Sequence, residues 1–278
     1  MRCWAHEVAE LVGGRLHGPD VEIDGTDFDS RSIGHGQLFV PLVAERDGHE
    51  FIGAALERGA AAYLTSRTPV GGTAIEVDNT LHALMRLATG LRDRVDGPVV
   101  GITGSVGKTS TKDLTRAAAG AGRRVWANEK SFNNEQGLPT TVVNAPADTE
   151  VLILEMGMRG HGEITALCDI ARPTIGVVTR VAEAHSDRVG GIDGVARAKA
   201  ELVQALPAEG VAILNADDVR VRAMASLPGT LISGLSDAIG GGDVATVGDA
   251  KRGALVMELT LEARNQASSG SNQNLLTS

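Results

Sequence analysis

A glycine-rich segment at residues 99–114 places the strongest limit on what this chain can fold into. The segment reads VVGITGSVGKTSTKDL. Its apolar, β-branched beginning, Val99–Thr103, predicts a buried strand, and the residues from Lys108 onward predict a helix. Because Gly104 and Gly107 lie between the two, the sequence predicts a strand, a tight turn and a helix N-terminus in direct succession.

A strand, a glycine-rich turn and a helix N-terminus together are typical of a site for phosphate groups. Backbone N–H groups point into the turn, the helix dipole favours negative charge, and glycine lets the backbone approach the phosphate closely. In such a site Lys108 would reach the β- and γ-phosphates, and the Thr109 hydroxyl would bind Mg²⁺. The sequence thus predicts a nucleotide site formed by Gly104, Ser105, Gly107, Lys108, Thr109 and Ser110.

The segment departs from the strict GxxxxGK[ST] pattern in one respect. That pattern needs glycine at position 102, which is Ile102, and the first glycine stands at Gly101. A lone GK[ST] triplet is a weak signal, but the same triplet between a strand and a helix, with two more glycines in the turn, is much more specific. The alternative is a tight strand-to-helix turn that carries a surface lysine.

The composition limits the classes of protein to which the chain can belong. A length of 278 residues favours two domains, and an aromatic content of 3% leaves valine, leucine, isoleucine and alanine to build the cores. The net charge of −9 argues against a general nucleic-acid or membrane-surface role. Two distant cysteines, Cys3 and Cys168, favour a reducing cytoplasm. No segment predicts a membrane span or a secretion signal.

The order of predicted elements indicates an α/β fold with two domains. In the first domain, residues 1–93, we expect helices at 4–11, 51–58 and 80–91 and strands at 21–28, 37–42 and 60–64. A charged stretch at 93–97, ending in Gly-Pro, predicts the boundary. Beyond it we expect strands at 99–103, 124–127, 151–155, 175–181 and 211–214 and helices at 108–119, 138–144, 163–170 and 194–206.

This alternation implies a P-loop-type central domain with a mostly parallel sheet covered by helices. Ligands of such sheets gather at the carboxyl ends of the strands. We expect the central domain to cover residues 97–262. The polar tail at 263–278 lacks hydrophobic periodicity, so we expect it to be disordered.

Polar residues follow three of the predicted strands at that edge. Glu155 ends the run VLILE, His185 lies beyond GVVTRV, and Asn215 follows GVAIL. A carboxylate beside a phosphate-binding turn is well placed for Mg²⁺. An ordinary strand-end acid and a solvent-exposed loop histidine remain the alternatives for Glu155 and His185.

Lys199 shares one helical stripe with Val195, Leu202 and Leu206. A lysine on an apolar stripe is commonly a surface residue whose aliphatic part covers the apolar surface. The same position also fits a buried lysine with a lowered pKa, which would be chemically reactive. The pattern alone leaves both alternatives open.

Six segments of the chain, taken in order, resemble the Mur ligases. They are GITGSVGKTS, KSFNNEQGLP, EMGMRGHGEI, VAEAHSD, ARAKAEL and ILNADD. The second and third are most similar to the family members that add D-alanyl-D-alanine to UDP-N-acetylmuramoyl-tripeptide. The resemblance extends from near the N-terminus to about Asp218.

The resemblance implies an ATP-dependent ligase of peptidoglycan precursor synthesis. ATP would phosphorylate the terminal carboxylate of the peptide, and the amine of D-alanyl-D-alanine would attack the acyl phosphate. Thr109 and Glu155 would bind a first Mg²⁺, His185 would help to bind a second, and a carbamylated Lys199 would support metal binding. Lys108, Lys199 and His185 would thus be the catalytic residues, and Asn215 would shape the nucleotide pocket.

The resemblance also implies residues for the UDP-sugar peptide. These are Ser30, Arg31, Asp47, His49, Asn133 and Asn134. The Arg31 guanidinium would suit a pyrophosphate because it can form two parallel hydrogen bonds. A plain surface turn is the alternative for this arginine.

The chain departs from the family pattern beyond Asp218. Mur ligases have a third domain that binds the incoming amine, and the sequence has no room for it. We therefore expect a truncated ligase. We also expect it to be cytoplasmic and monomeric. A related ligase such as folylpolyglutamate synthase is one alternative, although the substrate-side first domain argues against it. A non-catalytic nucleotide-binding remnant is the other.

Overall fold

The computed structural model describes residues 2–129, 132–183 and 189–226, together with the backbone of 231–234. The chain divides into two compact units. The first unit comprises residues 1–96, 128–149 and 169–171, and the second comprises 97–127, 150–168 and the residues from 172 onward. Among the described residues, no helix combines the length and the apolar character that crossing a membrane requires.

Short strands and helices build the first unit. Its strands are β1 (Arg2–Trp4), β2 (Arg15–His17), β3 (Glu22–Asp24), β4 (Thr26–Asp27), β5 (Leu38–Phe39), β6 (Ala62–Thr65) and β7 (Ala74–Glu76). Its helices are α1 (Ala5–Val12), α2 (Ile52–Glu57), α3 (Thr80–Leu91) and, later in the chain, α5 (Gly137–Val143), with 3-10 turns at Gly48–Phe51 and Arg92–Arg94. A five-stranded sheet has the order β2-β7-β6-β5-β4, and β1 pairs with β3 separately.

The strand predicted at 21–28 is wrong as a single element. Gly25 adopts a positive φ of 87° and turns the chain between β3 and β4. As a result β3 pairs with β1, whereas β4 pairs with β5 in the larger sheet. The strands β2 and β7 were not predicted, because three residues are too few for an alternating pattern to show. The predicted helix at 80–91 is confirmed as α3.

Helix α5 belongs to the first unit, although strands of the second unit precede it in the sequence. It packs against α3, and Asn144, which follows it, adds two bonds to Thr26: its Oδ1 accepts from Thr26 N at 2.7 Å and its Nδ2 donates to Thr26 O at 2.8 Å. The second unit begins at Gly97. The domain limits taken from the sequence stay predictions, and the tail at 263–278 lies outside the described residues.

The second unit is a parallel six-stranded sheet with helices. Its strands are β8 (Val99–Thr103), β9 (Val125–Ala127), β10 (Val151–Glu155), β11 (Ile175–Val178), β12 (Val211–Leu214) and β13 (Leu231–Gly234), in the order β13-β12-β11-β8-β10-β9. Its helices are α4 (Lys108–Ala119), α6 (Glu163–Ala171), α7 (Gly191–Gln204) and α8 (Val219–Ala223). The predicted mostly parallel α/β sheet is confirmed, and β8 and α4 have the predicted bounds.

The predicted strand at 175–181 is too long, since β11 ends at Val178. Beyond Val178 the backbone bonds to neighbouring loops instead of continuing the sheet. Thr179 O accepts from the Asn215 side chain at 2.8 Å, and Arg180 O accepts from Ser105 N at 2.7 Å. We call residues 179–182 the exit segment of β11.

Two glycines let α7 pack closely on the sheet. Gly101 in β8 and Gly176 in β11 are direct neighbours across the strands. A Cβ at Gly101 would lie 2.9 Å from Leu202 Cδ1, and one at Gly176 would lie 3.2 Å from Leu202 Cγ. Because α7 connects two parallel strands, it runs back along the sheet, and its earlier residue Lys199 lies nearer the carboxyl edge.

Candidate nucleotide-binding site

The loop between β8 and α4, residues 104–107, has the backbone conformation that an anion site needs. We call this loop the glycine turn. Gly104 has a φ of 152° and Gly107 a φ of 84°, which are values that other residues rarely adopt. A Cβ at Gly104 would come within 1.9 Å of Thr179 Oγ1, so a larger residue has no space there. No side chain caps the N-terminus of α4, which leaves its dipole available to a ligand.

Lys108 folds back over this loop. Its Nζ donates to Gly104 O at 2.9 Å, and its side chain is half-buried. The ammonium group therefore lies beside the glycine turn, and its contact with phosphate stays a prediction. Ser110 is exposed on the first turn of the same helix.

Thr109 and Glu155 meet at the carboxyl edge of the sheet. β10 is the neighbour of β8, with Glu155 opposite Ile102, and Glu155 is 3% exposed. Thr109 Oγ1 donates to Glu155 Oε2 at 2.9 Å. A hydroxyl and a carboxylate oxygen are the kind of hard ligands that Mg²⁺ prefers, so this pair fits the ion.

In the described part of the chain, protein side chains provide only part of the metal site predicted from the sequence. Within the described residues no three His, Cys, Asp or Glu side chains come together as a metal cluster. Mg²⁺ commonly takes only one or two carboxylates and completes its shell with phosphate and water. His185 lies outside the described residues.

Lys199 is buried, with 4% of its surface exposed, so the surface alternative is not the one observed. Burial, followed by the nearby positive charge of Lys108, lowers the pKa of its ammonium from 10.5 to about 8. In the part of the chain that the structure describes, neither Lys108 nor Lys199 forms an ion pair with a carboxylate. The site is thus locally cationic in a chain whose net charge is −9.

Ser105 and Asn215 are engaged with backbone groups rather than directed into open space. Ser105 Oγ donates to Ala182 O at 3.0 Å and accepts from Ala182 N at 2.9 Å. The Asn215 side chain donates to Thr179 O at 2.8 Å and accepts from Asp217 N at 3.0 Å. Sequence reasoning missed Thr179, since a threonine after an apolar strand carries no signal of its own.

A pocket of about 690 Å³ adjoins the loop at the carboxyl ends of β11 and β12. It is lined by residues 180–183, 215 and 217–220, together with Ile192. Ser105 of the glycine turn bonds to Arg180 and Ala182, which line the pocket. Its mixed polar and apolar lining can accommodate the remainder of a nucleotide.

In the first unit, Asp47 and His49 hold one loop together. Asp47 Oδ1 accepts from His49 N at 2.9 Å and lies 2.6 Å from His49 Nδ1. These bonds, led by the backbone one, lower the pKa of the Asp47 carboxyl, which also pairs with Arg67. His49 is 8% exposed, and its Nε2 accepts from Ser66 N at 3.1 Å. Both predicted residues therefore have structural partners.

Arg31 is occupied by a neighbouring carboxylate. Its Nε donates to Asp29 Oδ1 at 2.9 Å and its Nη2 donates to Asp29 Oδ2 at 2.7 Å. This hydrogen-bonded guanidinium lowers the pKa of Asp29 to about 2. The arginine side chain stays 85% exposed, whereas Ser30 next to it is half-buried.

Asn133 and Asn134 lie before α5 in the first unit. Asn134 Oδ1 accepts from Gly137 N at 3.0 Å at the start of that helix. The preceding Phe132 packs against Phe28, with ring centres 5.5 Å apart and the ring planes tilted by 48°. The predicted substrate residues Ser30, Arg31, Asp47, His49, Asn133 and Asn134 are thus all in the first unit, and their roles stay predictions.

The Mur ligase middle domain matches residues 102–240 of the chain. UDP-N-acetylmuramoyl-tripeptide–D-alanyl-D-alanine ligase of Bacillus subtilis is 42% identical over 219 residues, covering 76% of this chain and 48% of the relative. The enzyme of the same name from Mycobacterium tuberculosis is 43% identical over 253 residues, covering 80% and 49%. The chain spans about half the length of the curated relatives it matches.

Solved structures agree with these relatives. MurF from Thermotoga maritima in complex with ADP has a TM-score of 0.68 and 31% identity, covering 76% of this chain and 50% of that one. MurF from Acinetobacter baumannii has a TM-score of 0.78 and 25% identity, covering 86% and 54%. The matched residues include the glycine turn, Glu155, Lys199 and Asn215, so the chain belongs to the Mur ligase family.

Proposed function

We propose that this chain acts in the ATP-dependent addition of D-alanyl-D-alanine to UDP-N-acetylmuramoyl-tripeptide. The observation that carries the proposal is the Thr109–Glu155 oxygen pair, 2.9 Å apart, beside a glycine turn with its lysine. The relatives that share 42–43% of aligned residues bear the name of this reaction. The proposal places the chain in the cytoplasm as a monomer, without nucleic-acid or membrane partners.

The first step of the proposed reaction is a phosphoryl transfer. A carboxylate oxygen of the tripeptide forms a bond to the γ-phosphorus of ATP, and the bond from that phosphorus to the bridging oxygen breaks, which releases ADP. Such a transfer depends mainly on positioning and charge neutralisation. The Lys108 ammonium and the N-terminal N–H groups of α4 would supply both.

The second step forms the amide. The amine nitrogen of D-alanyl-D-alanine attacks the acyl carbon, the carbon–oxygen bond to phosphate breaks, and the nitrogen loses a proton. Lys108 and the N-terminus of α4, which no side chain caps, would stabilise the departing phosphate.

Thr109 and Glu155 are the described residues that would hold Mg²⁺, with His185 and Lys199 serving a second ion. A bound magnesium ion would neutralise charge on the phosphate oxygens. Lys199 would serve as a carbamate, formed when its neutral amine bonds to the carbon of CO₂ and loses a proton. With a pKa of about 8, roughly a tenth of the amine is neutral at pH 7 and able to react.

The remaining assignments follow the same proposal. The pocket at the ends of β11 and β12 would take the base and ribose of ATP, with Asn215 at its edge. In the first unit, Ser30, Arg31, Asp47, His49, Asn133 and Asn134 would bind the UDP-sugar peptide. Arg31 would then exchange part of its pairing with Asp29 for the pyrophosphate.

The proposal is tested by phosphate release from ATP in the presence of both substrates. Release that requires UDP-N-acetylmuramoyl-tripeptide and D-alanyl-D-alanine together supports the ligase. Release that instead requires a folate and glutamate supports the related folylpolyglutamate reaction. Nucleotide binding with no acceptor-dependent release contradicts the ligase proposal and supports a binding module.

A further inference from the structure

The exit segment of β11 is bonded to the glycine turn along most of its length. Thr179 Oγ1 donates to Val106 O at 2.7 Å, and Ser105 N donates to Arg180 O at 2.7 Å. The Ser105 hydroxyl adds two bonds to the N and O of Ala182. Four hydrogen bonds therefore join a four-residue turn to a four-residue segment.

The hydroxyl of Ser105 has no donor left for a phosphate in this arrangement. A serine hydroxyl has one proton, and that proton is directed to Ala182 O. The hydroxyl also accepts from the amide of the same residue, so it pairs with Ala182 much as a strand residue would. This geometry differs from the direct phosphate contact that a turn serine is expected to make.

Thr179 supports the turn from its other end. Its hydroxyl holds Val106 O, and its side chain fills the space where a Cβ of Gly104 would otherwise stand. The turn is thus fixed on both sides of Ser105, and its conformation depends on groups outside it.

The exit segment is itself fixed from the side of β12. The Asn215 side chain donates to Thr179 O at 2.8 Å, and Asp218 Oδ2 accepts from Val181 N at 2.8 Å. Asp218 also caps α8 through the N–H groups of Arg220 and Val221. The segment therefore has a rigid support against which the turn can be held.

We propose that Ser105 and Thr179 are positioning residues, which hold the glycine turn in its phosphate-binding conformation before a nucleotide arrives. The inference rests on the proposed nucleotide site and adds a role for these two hydroxyls. A turn that is already ordered binds more tightly, because the observed dissociation constant is the intrinsic one divided by the fraction of competent molecules.

The expected effects follow from the bonds that each change removes. Ser105→Ala removes the two bonds of the hydroxyl to Ala182 and should lower the fraction of molecules in which the turn is ordered. The dissociation constant of Mg·ADP should then rise about fivefold, as expected for a net loss of about one hydrogen bond. Thr179→Val, which keeps the shape but removes the hydroxyl, should have a similar effect. Ser105→Thr, which keeps a hydroxyl, should retain most of the affinity.

The experiment combines calorimetric titration with Mg·ADP and hydrogen exchange without nucleotide. Ser226→Ala is the matched control, because Ser226 Oγ donates to a backbone carbonyl, Ala223 O, at 2.9 Å away from the turn. Exchange of the peptide that covers residues 104–107 should become faster in Ser105→Ala and Thr179→Val and stay unchanged in Ser226→Ala.

The outcomes separate the inference from the proposed function. If the unaltered chain binds Mg·ADP, and Ser105→Ala binds equally well with unchanged exchange, the positioning role is refuted alone. If Ser105→Ala weakens binding without faster exchange, Ser105 contacts phosphate directly and the inference is wrong. No binding of Mg·ADP by the unaltered chain contradicts the proposed function and the inference together.

Discussion

Replacing Lys199 with methionine should stabilise the folded chain at neutral pH. The ammonium is buried, at 4% exposure, and no described carboxylate pairs with it. Its pKa falls from 10.5 to about 8 because burial disfavours the charged form and Lys108 repels it. Each unit of pKa corresponds to about 1.4 kcal/mol, so the charged lysine costs roughly 3 kcal/mol at pH 7. Methionine has similar length and carries no charge.

The pH dependence gives the sign of this effect. Between about pH 8 and 10.5 the unfolded chain holds a proton on Lys199 that the folded chain has lost, so stability of the unaltered chain rises with pH. The advantage of Lys199→Met should therefore shrink to about 1 kcal/mol near pH 9.5. A positively charged group that is merely exposed would show no such trend.

Urea unfolding in buffer free of CO₂ at pH 7 and pH 9.5 measures both quantities. The CO₂-free buffer prevents carbamate formation, which would replace the charge in question. Arg116→Met on the exposed end of α4 is a control for removal of a positive charge. Equal stability of Lys199→Met and the unaltered chain at pH 7, or a difference that does not change with pH, would show that burying the charged Lys199 does not destabilise the fold.

Three further predictions follow from the same structure. Glu155→Ala and His185→Ala should weaken the Mg²⁺ dependence of nucleotide binding, as measured by metal titration; loss of thermal stability with an unchanged metal response would show that they are structural. Carbon-13 NMR with labelled bicarbonate should show a carbamate signal that Lys199→Ala lacks, and its absence from the unaltered chain would contradict carbamylation. Asn144→Ala removes two bonds to Thr26 and should lower the free energy of unfolding by about 2 kcal/mol in urea titrations; an unchanged value would show that α5 is held by other contacts.

The second unit could be predicted well from the sequence because its signals are local and strong. Continuous apolar runs mark β8, β10 and β12, and the Gly-Lys-Thr turn marks the start of α4. Thr109, in the first turn of α4, and Glu155, at the end of β10, come together as the rule for parallel sheets requires. The other predicted elements between residues 97 and 214 are present with ends shifted by one to three residues.

The first unit was harder to predict, since its strands are only two to four residues long. A single glycine, Gly25, divides one apparent strand between two sheets, and its positive φ cannot be read from the alternating pattern. The attachment of α5 to this unit depends on its packing against α3 and on the bonds between Asn144 and Thr26, which are 118 residues apart. Contacts at that distance leave no local signal in the sequence.

The contacts of polar side chains were the least predictable part of the site. Burial of Lys199 depends on how closely Leu202 approaches Gly101 and Gly176, which is a matter of packing. The pairing of Ser105 with Ala182 depends on where β11 ends. The burial of Lys199 and the pairing of Ser105 both depend on the position of one element relative to another. The hydrophobic periodicity of a sequence does not give that position.

Titration of the chain with a non-hydrolysable ATP analogue and Mg²⁺ tests whether the glycine turn is a nucleotide site. Lys108→Ala removes the ammonium that lies 2.9 Å from Gly104 O, whereas Arg116→Ala removes an exposed cation from the other end of the same helix. We expect measurable binding by the unaltered chain and by Arg116→Ala, and nearly complete loss of binding in a folded Lys108→Ala. Unchanged affinity in folded Lys108→Ala would contradict the assignment of the glycine turn as a nucleotide site.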